Sequence, residues 1–301
     1  MKRIIILFAI SVFFGCSNNP AEVVVTEPTG TIVFTSSRSG NMDLFTVNPD
    51  GSNVVNITNN PSLDYGTNWT PDGKQVATYS ERDGNAEVYL INIDGSDPVR
   101  LTDNPADDGF AAVSPDGSEI VFISNRDSLS RNLFLMNIDG SNVRALTSNK
   151  IDEESPSWSI DGTQILFTKQ VRGPGEPRAG NGEIFIMDKS GSNEKRLTNK
   201  EGFDSGAVFS PDGTQIAFYG ENNGTYDIFI MNADGSNIRN ITNDAPQCYS
   251  PSWSPDGEWL AYTSGDPSNF DIWLVHIKSG EKRQLTDLPG RDEEASWLIT
   301  R

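Results

Sequence analysis

Short runs in which apolar and polar residues alternate recur along this chain in a fixed order. One set reads "TIVFTS", "QVATYS", "EIVFIS", "QILFTK", "QIAFYG" and "WLAYTS". A second reads "DLFTVN", "EVYLIN", "NLFLMN", "EIFIMD", "DIFIMN" and "DIWLVH". Alternation with period two puts every other side chain on one face of an extended strand, and β-branched and aromatic side chains suit that pleated surface. The first set is strand b of a repeat and the second is strand c. Before each b turn stands strand a, marked by a bulky residue: Trp69, Val113, Trp158, Phe209, Trp253 and Trp297. After c comes a short strand d that ends in a threonine. The a–b link reads "TPDG", "SPDG" or "SIDG", and the c–d link is of the "DGSN" or "KSG" type. Glycine takes positive φ in such links at no steric cost, which suits tight hairpins.

Two landmarks keep step. The turn glycines Gly73, Gly117, Gly162, Gly213 and Gly257 are spaced 44, 45, 51 and 44 apart. The threonines Thr58, Thr102, Thr147, Thr198, Thr242 and Thr286 are spaced 44, 45, 51, 44 and 44 apart. Both stretch at the same place, so the repeat is real. Four-stranded units at this period predict an all-β fold, a six-bladed β-propeller of antiparallel blades. No helical periodicity of useful length appears, which sets helical repeats aside. The last a strand, "ASWLIT", ends the chain with no turn after it. Ala295–Thr300 is therefore expected to be the innermost strand of the blade whose other three strands span about residues 30–58, which leaves no open edge. The alternative is that Val23–Thr26 fills that slot.

The stretches "PSWSPDGEWLAYTS" and "DIFIMNADGSNIRNIT", with their copies, resemble the TolB-type propeller repeat, also called the WD40-like PD40 repeat, over about residues 30–301. The resemblance implies a propeller that receives partner segments at the mouth of its central channel. TolB carries an α/β domain before its propeller. Here residues 16–29 alone separate Cys16 from the first repeat, so the whole role of TolB is not implied.

The N-terminus has a different pattern. Lys2 and Arg3 precede an apolar run from Ile4 to Phe14, then Gly15 and Cys16. A charged start, a short apolar core and a small residue before the cut describe a secretory signal. Such a run rises only about 16 Å as a helix, roughly half a bilayer core, so a spanning helix fits poorly. Phe13-Phe14-Gly15-Cys16 resembles a bacterial lipoprotein cleavage box, with Phe13 where leucine is usual. The resemblance implies lipid on Cys16. An ordinary signal peptide with a chance cysteine is the alternative. The expected organisation is a signal peptide over 1–15, a lipidated tether over 16–29 and the propeller over 30–301. That places the protein in the bacterial envelope, at the outer membrane and facing the periplasm or the surface, with membrane contact through the lipid alone.

The formal net charge is −19 over 301 residues. So acidic a chain repels phosphate backbones, which argues against nucleic acid as a partner. There is one histidine, His276, and there are two cysteines, Cys16 and Cys248. Most zinc sites and most Ser-His or Cys-His machinery need histidine, so a single one leaves a short chemical menu. His276 falls where strand c of the other repeats has Asn or Asp, and is expected to be structural. Cys248 is expected to be a free structural thiol. No G-x-S-x-G, P-loop, H-E-x-x-H or complete EF-hand loop is present.

In a propeller the a–b and c–d links share one face, and the b–c and d–a links share the other. The first face is built from uniform turns, and the second carries what varies. Variable loops on a rigid scaffold are where binding resides. Two features mark that face. The d–a links are acidic just before each bulky residue: Asp64, Asp107, Asp108, Asp152, Glu153, Glu154, Asp204, Asp292, Glu293 and Glu294. Of these, Asp64, Asp108, Glu153, Asp204, Asp292 and Glu293 are the expected ring at the channel mouth, suited to a basic peptide segment or a cation. The second feature is the b–c loop of the fourth repeat, "KQVRGPGEPRAGNG", whose Arg172 and Arg178 are a further candidate partner contact; Lys169 opens it. Arg38, Arg82 and Arg126 recur in the first three b–c loops and either pair with neighbouring acids or add to the site. The leading reading is a monomeric, non-enzymatic propeller that binds an envelope protein or peptide segment and needs no cofactor, though Ca2+ could sit among the carboxylates. The rivals are a metal-dependent propeller enzyme, of polysaccharide lyase or lactonase type, and a purely structural envelope protein.

Overall fold

The structure is a computed structural model that describes residues 25–127, 130–171, 181–200, 202–243 and 246–299. Six four-stranded antiparallel sheets stand as blades around a central channel. Blades 2 to 6 are continuous in sequence. Their inner a strands are Asp64–Trp69, Asp108–Val113, Glu153–Trp158, Asp204–Phe209 and Gln247–Trp253. Blade 1 takes its a strand from the far end of the chain. Asp292–Trp297 pairs with Ile32–Ser36, which pairs with Asp43–Val47, which pairs with Val55–Asn56. The C-terminal strand thus closes the ring as the repeat phase predicts, starting a few residues earlier than Ala295. The alternative closure is overturned. The slot is occupied by Asp292–Trp297, and Val25 and Thr26 form no strand.

Residues 25–29 instead lie against blades 6 and 1 on the uniform-turn face. Trp259 Nε1 donates to the Thr26 carbonyl at 3.0 Å and Trp297 Nε1 to the Thr29 carbonyl at 2.8 Å. Elsewhere the inner-strand tryptophans tie blade to blade. Trp69 donates to Ser296 O, Trp158 to Ala112 O and Trp253 to Val208 O, at 3.0, 2.9 and 3.1 Å. A buried indole N–H needs an acceptor, and the neighbouring backbone supplies it. The apolar core sits between blades; one cluster joins Ile32, Phe34 and Trp297 of blade 1 to Trp259 and Ile272 of blade 6.

The recurring threonine holds the outer strand in place. In each blade its Oγ1 accepts a backbone N–H from strand c, as from Leu44 and Ile228 at 2.9 Å. In blades 1, 2, 4 and 5 it also donates to an acid near the start of strand c, as Thr58 to Asp43 at 3.0 Å, Thr198 to Glu183 at 2.6 Å and Thr242 to Asp227 at 3.0 Å; in blade 3, where Asn132 stands there, Thr147 donates to Glu153 of blade 4 instead. One short hydroxyl acting as both acceptor and donor satisfies a buried carboxylate and pins a d strand of two or three residues. In the a–b turns the aspartate accepts from the preceding Ser or Thr. Ser114 and Ser118 together pull the Asp116 carboxyl down to about 2.

The b and c strands are eight residues long in blades 4, 5 and 6 and five or six in blades 1 to 3. Their extensions raise one side of the variable face into a wall. Part of the segment expected to loop from Lys169 to Gly182 belongs to that wall, since Gln164–Val171 and Asn181–Asp188 are strands.

Candidate functional site

Five of the recurring acids are buried within their blades. Asp64, Asp108, Glu153, Asp204 and Asp292 each open an a strand, and each is at most 1% exposed. Buried carboxylates need partners. Arg82 Nη2 reaches Asp64 at 2.9 Å, Arg126 reaches Asp108 at 2.6 Å and Arg38 reaches Asp292 at 2.6 Å. Lys169 stands 3.6 Å from Glu153 and Lys200 3.0 Å from Asp204. Asparagines add donors: Asn60 to Asp64, Asn104 to Asp108 at 2.7 Å and Asn149 to Glu153 at 2.8 Å. Burial still pushes Asp108 and Glu153 above the usual carboxylate range and Asp204 up to about 6. These five acids, expected at the channel mouth, are thus held by partners within the blades. Arg38, Arg82 and Arg126 are their partners and stack over Phe34 and Phe45, over Tyr89, and over Phe122 and Phe134. Blade 6 departs from the rest. Cys248, fully buried, stands where the others have the acid, and Asp266 stands where blades 1 to 3 have arginine, so acid and base are replaced together.

What lines the channel lies one and two residues further on. Every a strand has a β-bulge against strand b, and one bulge residue has positive φ. These six are Gly66 (79°), Phe110 (46°), Ser155 (50°), Gly206 (64°), Ser250 (50°) and Glu294 (54°). All six line one chamber of about 130 Å³. Glycine is the unstrained choice at such a bulge; a side chain there costs roughly 1–2 kcal/mol. Four of the six blades accept that cost and present Phe110, Ser155, Ser250 and Glu294 to the channel. Glu294 accepts from Ser250 Oγ at 2.7 Å, and its backbone N–H donates to Thr263 at 3.2 Å. Burial and the neighbouring Glu293 push its carboxyl up to about 7.

Glu293, another of the acids expected at the mouth, is placed differently from these five. It lines the outer chamber, accepts from Tyr65 Oη at 2.7 Å and pairs with Arg291. Glu154 also lies near, with Arg131 at 3.0 Å. Around these acids stand aromatic rings that the repeat pattern did not single out. Tyr65, Tyr79 and Phe110 form one cluster, with centroids 5.6–6.5 Å apart. Tyr219, Tyr226, Tyr249 and Phe270 form another, with centroids 5.2–5.9 Å apart. Burial and the charge of Glu294 raise the Tyr65, Tyr79 and Tyr219 phenols. A sequence signal did exist. Tyr65, Phe110 and Tyr249 follow the first a-strand position by one or two residues, where the other blades have Gly, Ser or Glu.

The opposite end of the channel is lined by Trp69, Trp158, Trp253 and Trp297 with Pro71 and Pro115, interspersed with Asn68, Thr70, Ser157, Ser252 and Ser296. Cys16, Arg172 and Arg178 lie outside the described residues. His276 is fully buried, with Nδ1 2.7 Å from Ser279 Oγ and its ring 5.0 Å from that of Trp259. Cys248 is a free thiol among the described residues, and burial raises it. Among the described residues no three His, Cys, Asp or Glu side chains are grouped as metal ligands, and no helix is long and apolar enough to cross a membrane.

The fold and this channel define a six-bladed propeller with an aromatic and carboxylate mouth on its variable face. The family model described as the TolB beta propeller domain matches residues 19–177 and 175–298, and the chain belongs to that family. No curated protein matches it. Among solved structures it is similar to TolB from Acinetobacter baumannii, at 22% identity and a TM-score of 0.79 over 91% of this chain and 68% of that one. It is also similar to an oligogalacturonate lyase from Vibrio parahaemolyticus, at 17% identity and a TM-score of 0.57 over 87% of this chain and 73% of that one. At such identities the likeness shows the fold alone.

Proposed function

We propose that this protein is a non-enzymatic, monomeric propeller of the bacterial envelope that binds a protein or peptide segment at the channel mouth on its variable face. One observation carries the reading. The six bulges turn their positive-φ residues into a single chamber, and four of them bear side chains where glycine would be free of strain. Strain of this kind persists where the surrounding structure over-determines it, and it clusters at binding sites. The chamber, at about 130 Å³, is smaller than the roughly 300–1,000 Å³ of small-molecule sites and suits one or two side chains of a longer ligand. Glu293 and Glu294 are the acids offered to that ligand, and Arg172 and Arg178 are kept as candidate partner contacts. A TolB protein among the structural relatives fits an envelope location and a protein partner.

The tether reading adds an orientation. Residues 26–29 lie on the uniform-turn face, so lipid on Cys16 would turn that face to the membrane and the mouth away from it. Fully extended, ten residues span at most about 36 Å, which keeps the propeller close to the bilayer.

Ser155→Trp tests the function. It fills the chamber from a position that already holds a side chain at positive φ and changes no charge. Crosslinking in envelope preparations should capture a partner with the wild type and lose it with S155W, at unchanged melting temperature. Equal capture by both would sink the channel reading.

A further inference from the structure

Glu294 differs from every other acid of the inner a strands among the described residues. Asp64, Asp108, Glu153, Asp204 and Asp292 have a cation within 4 Å, Glu293 has Arg291 and Glu154 has Arg131. Glu294 has no cationic partner among the described residues; its carboxylate accepts from Ser250 Oγ. The bulge does not require a carboxylate, since Gly66 and Gly206 occupy the same place in blades 2 and 5. A left-handed backbone and an unpaired, largely enclosed charge are two separate costs at one residue. Aromatic faces stand round it from neighbouring blades: Tyr65 and Tyr79 of blade 2 in the inner chamber, and Tyr219 and Tyr249 of blades 5 and 6 with Tyr65 in the outer one. Close approach of backbone to ring seats at least one of them. A Cβ at Gly206 would come within 2.9 Å of the Tyr219 ring. A carboxylate short of a counter-charge and walled by tyrosine rings is complementary to a compact organic cation, through ion pairing and the ring quadrupoles together.

We propose that Glu294, walled by Tyr65, Tyr79 and Tyr249, is the seat for a single side-chain cation, a lysine ammonium or an arginine guanidinium, carried by the segment that enters the channel. The proposal rests on the channel-binding reading above and gives its ligand a chemistry. Binding follows the ionisation of Glu294. The groups facing it are Glu293 and Arg291 beside it, Tyr65 and Tyr79 from blade 2, Tyr219 from blade 5, and Ser250 and Tyr249 from blade 6. Its carboxyl, at about 7, is charged at pH 8 and mostly neutral at pH 6, whereas the raised phenols stay neutral throughout. Cation affinity should therefore fall roughly tenfold between pH 8 and pH 6.

The experiment titrates the full chain with Nα-acetyl-lysine amide, and with uncharged Nα-acetyl-norleucine amide, by ligand-observed NMR. At pH 8 the lysine probe should bind at least tenfold more tightly than the norleucine probe. Glu294→Gln should abolish that preference and flatten the pH profile, while Asp103→Asn, which removes an exposed acid, should leave both unchanged. Thermal melting of E294Q at pH 8, at or above the wild type, shows that the loss is not unfolding. Equal binding of the two probes, or wild-type behaviour of E294Q, overturns the proposal. So does CaCl2 alone that raises the wild-type melting temperature, leaves that of E294Q unmoved and excludes the lysine probe at equimolar concentration, since the guest is then an inorganic cation. Partner crosslinking separates the two readings. Capture lost in S155W but kept in E294Q leaves the channel standing without its cation seat. Capture kept in both removes the channel reading itself.

Discussion

At the scale of single residues, the balance between burial and partners decides what each acid does. Asp108 and Asp292 are dry and tied to arginine; Glu294 is enclosed and has no cationic partner among the described residues. The Glu294 carboxyl, raised to about 7, favours the protonated form in the folded state. Its contribution is thus fully present below the unfolded value, near 4.3, and is lost as pH rises through about 7. Glu294→Gln should then stabilise the protein by about 1–2 kcal/mol at pH 8 and by almost nothing at pH 4. The difference between wild-type and mutant melting curves across that range reads this group alone. Arg126→Ala should act in the other direction. It strands the buried Asp108 carboxylate and should cost about 3 kcal/mol in a denaturant melt at pH 7. The cost should shrink when Asp108→Asn is added, because the stranded charge is then gone.

At the scale of elements, the d strands are too short to hold themselves. Thr242 is fully buried and bonds both Ile228 N and Asp227 Oδ1. Thr242→Val keeps the shape and leaves a buried N–H and part of a buried carboxylate unsatisfied, at about 2 kcal/mol or more. Thr242→Ser keeps the hydroxyl and should cost less than half of that by the same melt. The equal-volume swap being the worse one would mark the tie as polar rather than steric. The same acceptance of a strand-c N–H in all six blades explains why a threonine, rather than any β-branched residue, keeps time along the chain.

At the scale of the whole molecule, closure is the vulnerable point. Asp292–Trp297 seals blade 1 and receives the Trp69 indole bond from blade 2. Ending the chain at residue 290 would leave Ile32–Ser36 as an unpaired apolar edge, the arrangement that invites strand addition by another chain. The truncated protein should elute at higher apparent mass than the full chain, or aggregate, in size-exclusion chromatography.

The repeat, the four strands of each blade, the turn glycines and the C-terminal closure were all determined by sequence alone. They are local patterns of period two punctuated by Asp-Gly, and their spacing is conserved from copy to copy along this one chain. The direction of the a-strand side chains was decided by the tertiary structure. A bulge inserts one residue between Asp292 and Trp297, and likewise in each other blade, so the alternation that holds for strands b and c breaks there. Asp108 turns into the blade and Phe110, two residues further on, turns to the channel, although strict alternation would put both on one face. Nothing in the alternation of one strand reports where a bulge falls; that depends on the partner strand's register and on the ring of blades that forces each inner strand to bend.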